Sequence, residues 1–91
     1  MLPMLLAMIE NDADRALLAE IYEQYHERME QAALRILKDT HDAEDAVQNA
    51  FLKIIRNFEK FLELPCKKKP FWCVCIVKNE AITLLRKKKK A

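Results

Sequence analysis

The chain has no glycine among its 91 residues. Glycine supplies positive backbone φ and lets the main chain approach a ligand closely. Without it, tight β-hairpins, P-loops and Rossmann turns lose the residue they depend on. Helices joined by short polar turns suit this composition. Cysteine is sparse: Cys66, Cys73 and Cys75 contain no C-x-x-C, and His26 and His41 lie far from them in sequence. That spacing holds no metal pattern, and no metal or cofactor is expected. An odd cysteine count without a signal peptide fits a reducing cytoplasm. No stretch approaches the ~20 apolar residues that cross a membrane, so no membrane insertion is expected. The apolar start, MLPMLLAMIEN, lacks a basic leader and reads as a packing helix with Pro3 in its first turn. The chain also offers no His/Asp/Ser constellation and no phosphate loop, and it is read as a non-enzyme.

What the chain does have is apolar content and segregated charge. Hydrophobic residues make up 52%, enough to exclude a disordered chain, and the length allows one small domain. Residues 1–50 carry four basic side chains (Arg15, Arg28, Arg35, Lys38) against eleven acidic ones, net −7. Residues 51–91 carry twelve basic against three acidic, net +9, which gives the overall +2. Such asymmetry points either to a basic surface for a polyanion or to solvated helix faces with a lysine tail.

Periodicity predicts four helices and no strands. The first spans about 3–10, with Asn11-Asp12 as break and cap. The second spans about 14–38, with Leu18, Ile21, Tyr22, Tyr25, Met29, Ala32, Ala33, Ile36 and Leu37 inward and Glu20, Glu23, Glu27 and Glu30 outward. The third spans about 43–58, with Asp42 as its expected N-cap. Stepping roughly 100° per residue from Val47 gathers Ala43, Ala46, Ala50, Phe51, Ile54 and Phe58 into a core stripe. Asp45, Gln48, Leu52 and Ile55 form a mixed flank, which is either a protein-binding surface or the edge of a wider core. A loop over 59–70 carries Pro65, Pro70 and Lys67-Lys68-Lys69. The fourth helix spans about 71–88 around Val74, Val77, Ala81 and Leu84, with Leu85 beside them.

On that last helix Asn79, Thr83, Arg86 and Lys87 share a polar face opposite the apolar stripe. Asparagine and threonine can read base edges, and the cations behind them can grip phosphates. Phe58, Phe61, Phe71 and Trp72 bracket the lysine run. They suit either unstacked bases or an ordinary core.

The stretch IYEQYHERMEQAALRILKDTHDAEDAVQNAFLKIIRNFEKF, followed by FWCVCIVKNEAITLLRKKKK, resembles region 2 of sigma-70-like factors, closest to the extracytoplasmic-function group. The carrying motifs are DAEDAVQNAF after RILKD and W-x6-N-x-A-x2-LLRK, and the similarity covers about residues 17–90. The resemblance implies an all-α compact helical bundle of three to four helices. It implies a transcription initiation domain that binds RNA polymerase core and recognises and melts the promoter −10 element. The helix over 43–58 would dock on the clamp coiled coil of the largest polymerase subunit through Asp45, Gln48, Asn49, Leu52 and Ile55. Asn49 stands where the family usually carries glutamate. The loop would open the duplex and capture a non-template base through Lys67, Lys68, Lys69 and Trp72. The helix after it would read the −10 element through Lys78, Asn79 and Thr83, with Arg86 and Lys87 on phosphates. Cys75 stands where members often carry arginine.

The implied divisions are an N-terminal helix over 1–11, polymerase-binding helices over 12–58, the melting loop over 59–70 and the reading helix over 71–90. No region 4 is expected within these residues, and the chain reads as an excised domain rather than a degenerate factor. An anti-sigma factor is a further partner that the resemblance admits. Two rivals are a helix-turn-helix-like duplex binder and a helical protein-interaction module that does not read DNA.

Overall fold

The computed structural model describes Ile9 and residues 11–90. Among these residues there are four helices and no strand: α1 Asp12–Leu37, α2 Thr40–Arg56, α3 Phe58–Glu63 and α4 Lys69–Lys90. The bundle is all-α, as expected. The helix expected over 3–10 lies outside the described residues apart from Ile9. That residue is buried, and its carbonyl accepts from Arg15 Nε at 2.5 Å.

Helix α1 starts where the side chain of Asn11 accepts from the backbone N–H groups of Ala13 and Asp14, at 2.8 and 3.3 Å. Asp12 and Asp14 in its first turn suit the positive end of the helix dipole. Its far end is closed by Lys38 at φ 57, ψ 24, the left-handed position usually given to glycine. The Lys38 N–H donates to the Leu34 carbonyl at 2.8 Å. In a chain without glycine, a lysine makes this turn.

Helix α2 begins three residues before the expected position. Its N-cap is Asp39, whose carboxylate accepts from the Asp42 N–H at 3.0 Å. Asp42 is therefore not the cap. It lies inside the first turn and is buried, at 8% exposure. The helix ends at Asn57, whose backbone leaves the helical region at φ −118, ψ 34 and whose Nδ2 donates to the Lys53 carbonyl. The short α3 then occupies the first half of the stretch expected to be a loop. Leu64 takes the extended conformation that a following proline favours, and residues 64–68 make the connection. Pro70 falls in the first turn of α4, where its missing N–H breaks no helical bond.

Helices α1, α2 and α4 each pack against the other two. Leu18, Met29, Ala33, Val47, Phe51, Ile54, Phe61, Cys73, Val77 and Ala81 are buried between them. The buried stripe of α4 is Cys73, Val77 and Ala81, a clean i, i+4, i+8 row. Val74 and Leu84, expected in the stripe, are only half-buried, as is Leu85. Cysteine behaves here as a small apolar residue, and burial pushes the Cys73 thiol up to about 12. Phe51 and Phe61 are fully enclosed, and truncating either ring to alanine is expected to cost roughly 3–5 kcal/mol.

Candidate functional site

Two surfaces carry the residues singled out in the sequence. The first is the outer face of α4. Lys78, Asn79, Thr83, Arg86 and Lys87 are all exposed there. Thr83 Oγ1 donates to the Asn79 carbonyl at 2.9 Å. Its hydroxyl proton is thus spent on the backbone, which leaves an acceptor oxygen and a methyl for a ligand. The Asn79 amide keeps both a donor and an acceptor outward, the pair that one base edge requires.

The turn before α4 adds a cationic rim. Lys67 and Lys68 are exposed, and the Lys68 N–H donates to the Pro65 carbonyl at 2.9 Å. Lys69 is half-buried, with its ammonium 5.9 Å from the centroid of the Phe61 ring. The four aromatics around the lysines divide sharply. Phe61 is buried and Phe58 half-buried against the core, so Phe61 cannot reach a base. Trp72 is half-buried, its ring tilted 42° against Phe61 at 5.2 Å between centroids. Phe71 is 72% exposed and is the aromatic free to stack on a ligand.

The second surface is a flank of α2. Asp45 and Asn49 are exposed and Gln48 is half-buried. Asp45 lies 4.0 Å from His41 Nε2, one turn earlier, a surface contact of little energetic weight. Leu52 and Ile55 are half-buried and packed against the core cluster. They are less exposed than a free-standing apolar stripe would be: they form the rim of a widened core, with their outer edges beside Asp45 and Gln48.

Between the two surfaces run two ion pairs that the sequence reading missed. Lys53 Nζ of α2 lies 2.5 Å from Glu80 Oε1 of α4, and the Glu80 side chain is only 13% exposed. Lys88 Nζ of α4 contacts Asp42 Oδ2 of α2. The Asp42 carboxylate holds the Lys88 ammonium above its ordinary range. Lys88, next to the Arg86 and Lys87 expected on phosphates, reaches across to Asp42 with its side chain still half exposed. The reason is register: it follows Val77, Ala81 and Leu84 at i+11, on the apolar stripe, and its long stem brings the charge back to Asp42. That continuation of the stripe was the available signal. On α2, Asp42 and Lys53 also lie eleven residues apart and so share one side. Gln48, Leu52 and Ile55 lie on another side, about 80–140° from Val47 at roughly 100° per residue, with Asp45 at about 160° between them and the clamped edge. One edge of α2 is clamped to α4 and another is left open.

The described residues contain no cluster of His, Cys, Asp or Glu able to hold a metal. No helix among them is long and apolar enough to cross a membrane. No curated protein and no solved structure matches the chain. The family model Sigma-70 region 2 matches residues 21–91, a span that takes in most of α1 and all of α2, the turn and α4. The chain thus belongs to the sigma-70 region 2 family, the part of a sigma factor that engages RNA polymerase and takes part in promoter recognition.

Proposed function

We propose that this domain docks on the RNA polymerase core through Asp45, Gln48, Asn49, Leu52 and Ile55, and that α4 with its preceding turn captures unpaired non-template bases of the −10 element. The observation that carries this reading is the outer face of α4, where Asn79 and Thr83 stand exposed with Arg86 and Lys87 one turn beyond Thr83. Phosphate contacts from Lys67, Lys68, Arg86 and Lys87 bring the strand to the surface without reading it. Asn79, Thr83 and Lys78 then discriminate among bases. Phe71, with the outer edge of Trp72, offers a stacking platform for a base that has left the duplex, worth roughly 1–3 kcal/mol per base. Unpairing a base costs a few kcal/mol, so a surface that binds only the unpaired strand pulls the equilibrium toward the bubble.

The α2 flank fits the clamp coiled coil as a small mixed interface: two apolar anchors with a carboxylate and two amides at the edge. An anti-sigma factor would act by covering the same flank. Charge reversal at Asp45 tests the docking face. Asp45→Lys should weaken binding to polymerase core about tenfold and leave the circular dichroism spectrum and melting temperature unchanged. Unchanged affinity would remove this flank from the interface.

A further inference from the structure

Helix α1 was counted with the acidic half of the chain, yet its charges are sorted around its axis. Stepping roughly 100° per residue from Ile21 places Arg28 and Arg35 near 340° and 320°, whereas Glu20, Glu23, Glu27 and Glu30 spread over about 180–260°. The arginines therefore sit on the edge that meets α4. There they line a groove of about 160 Å³ together with Gln31 and Ala32 of α1 and Val74 and Lys78 of α4. Arg28, Arg35 and Lys78 are exposed. No carboxylate lines the groove, and among the described residues none of the three cations has an ion-pair partner.

We propose that this groove between α1 and α4 is a second nucleic-acid backbone site, in which Arg28 and Arg35 hold phosphodiester groups of the same strand whose bases meet Lys78 and Asn79. The inference rests on the function proposed above and extends it to α1. Three features favour a polynucleotide over an acidic protein segment. The groove runs directly into the reading face, because Lys78 belongs to both. Arg28 and Arg35 are two helical turns apart, roughly 10 Å along the axis, so they reach different phosphates rather than one anion. Guanidinium groups match phosphate oxygens in bidentate fashion, and Gln31 between them adds an amide donor.

The test uses the whole chain and a labelled oligo(dT) single strand, titrated over a range of salt concentrations. Two phosphate contacts on a single strand contribute about 1.4 to the slope of log affinity against log salt, roughly 0.7 each. The R28Q/R35Q double variant should lower the slope by that amount, and R28K/R35K should retain most of it. With a methylphosphonate backbone, the difference between wild type and R28Q/R35Q should vanish. Wild-type binding with the same slope in R28Q/R35Q overturns the groove while leaving the α4 face standing. An unchanged slope combined with weakened polymerase binding reassigns the groove to a protein contact and equally overturns it. A wild-type chain with no affinity for the strand overturns both this inference and the reading beneath it.

Discussion

Lys88 Nζ donates a hydrogen bond to Asp42 Oδ2, which ties the last turns of α4 to the first turn of α2. The N–H of Asp42 is itself held by the carboxylate of Asp39, the cap of the same helix. Eight residues earlier on α4, Glu80 meets Lys53 in the same antiparallel sense. The outer face of α4 and the α2 flank are thus held relative to one another by two charge contacts as well as by the core. The proposed function, with α2 on polymerase and α4 on DNA, requires that arrangement to be held.

The Asp42–Lys88 contact should behave as a coupled pair. Asp42→Asn and Lys88→Gln are each expected to lower the melting temperature, and the double variant should lose less than the sum of the two. Asp42 raises the Lys88 pKa above its ordinary 10.5. The pair's contribution is therefore fully present below that value and is lost as pH rises through the raised one. Additive losses in the cycle, or an alkaline limb unchanged in Asp42→Asn, would contradict the contact.

The three thiols should separate by accessibility. Cys66 is exposed, Cys75 half-buried and Cys73 buried, with the Cys73 thiol pushed up to about 12 by its surroundings. A thiol reagent near neutral pH should label Cys66 first and Cys73 only on unfolding. Mass mapping of the labelled peptides checks the order, and early labelling of Cys73 would mean that α4 does not pack as described.

Lys38 holds a left-handed conformation that disfavours any residue with a Cβ. Lys38→Gly should stabilise the domain by about 0.5–1 kcal/mol, because relief at the turn outweighs the added freedom of the unfolded chain. Chemical denaturation measures it. A loss of stability would show that the lysine side chain contributes more than its backbone geometry costs.

Much of this arrangement was readable in the residues, and the misses have physical reasons. The three long helices announce themselves because Leu18 to Ala33, Ala43 to Ile54 and Val74 to Leu84 repeat at helical spacing over several turns. The cap of α1 falls within the Asn11-Asp12 pair read as a break and cap. Before α2, Asp39 and Asp42 both precede the first apolar residue, and only the hydrogen bond from the Asp42 N–H to the Asp39 carboxylate tells cap from first turn. Helix α3 has six residues, too few for a period to show. Phe61 lies in a stretch without periodicity and Trp72 at the very start of a helix, so nothing local marks one ring as core and the other as half-buried. The Lys88–Asp42 contact escapes a tally of charge along the chain, whereas a face-by-face count places Lys88 on the apolar stripe of α4. On the candidate site itself, exposure agrees with the expectation at Lys78, Asn79, Thr83, Arg86 and Lys87. At Leu52 and Ile55 it favours a core rim that also offers its outer edge.

The central claim is that α4 and its turn bind the unpaired −10 strand by sequence. Its most direct measurement is the affinity of the chain for a panel of labelled single-stranded −10 non-template oligonucleotides, each set against its own duplex and repeated with Asn79→Ala. The account predicts tighter binding to the single strands, with differences among sequences that Asn79→Ala levels while the salt slope stays the same. Preference for the duplexes, or an equal loss on every sequence in Asn79→Ala, would contradict it.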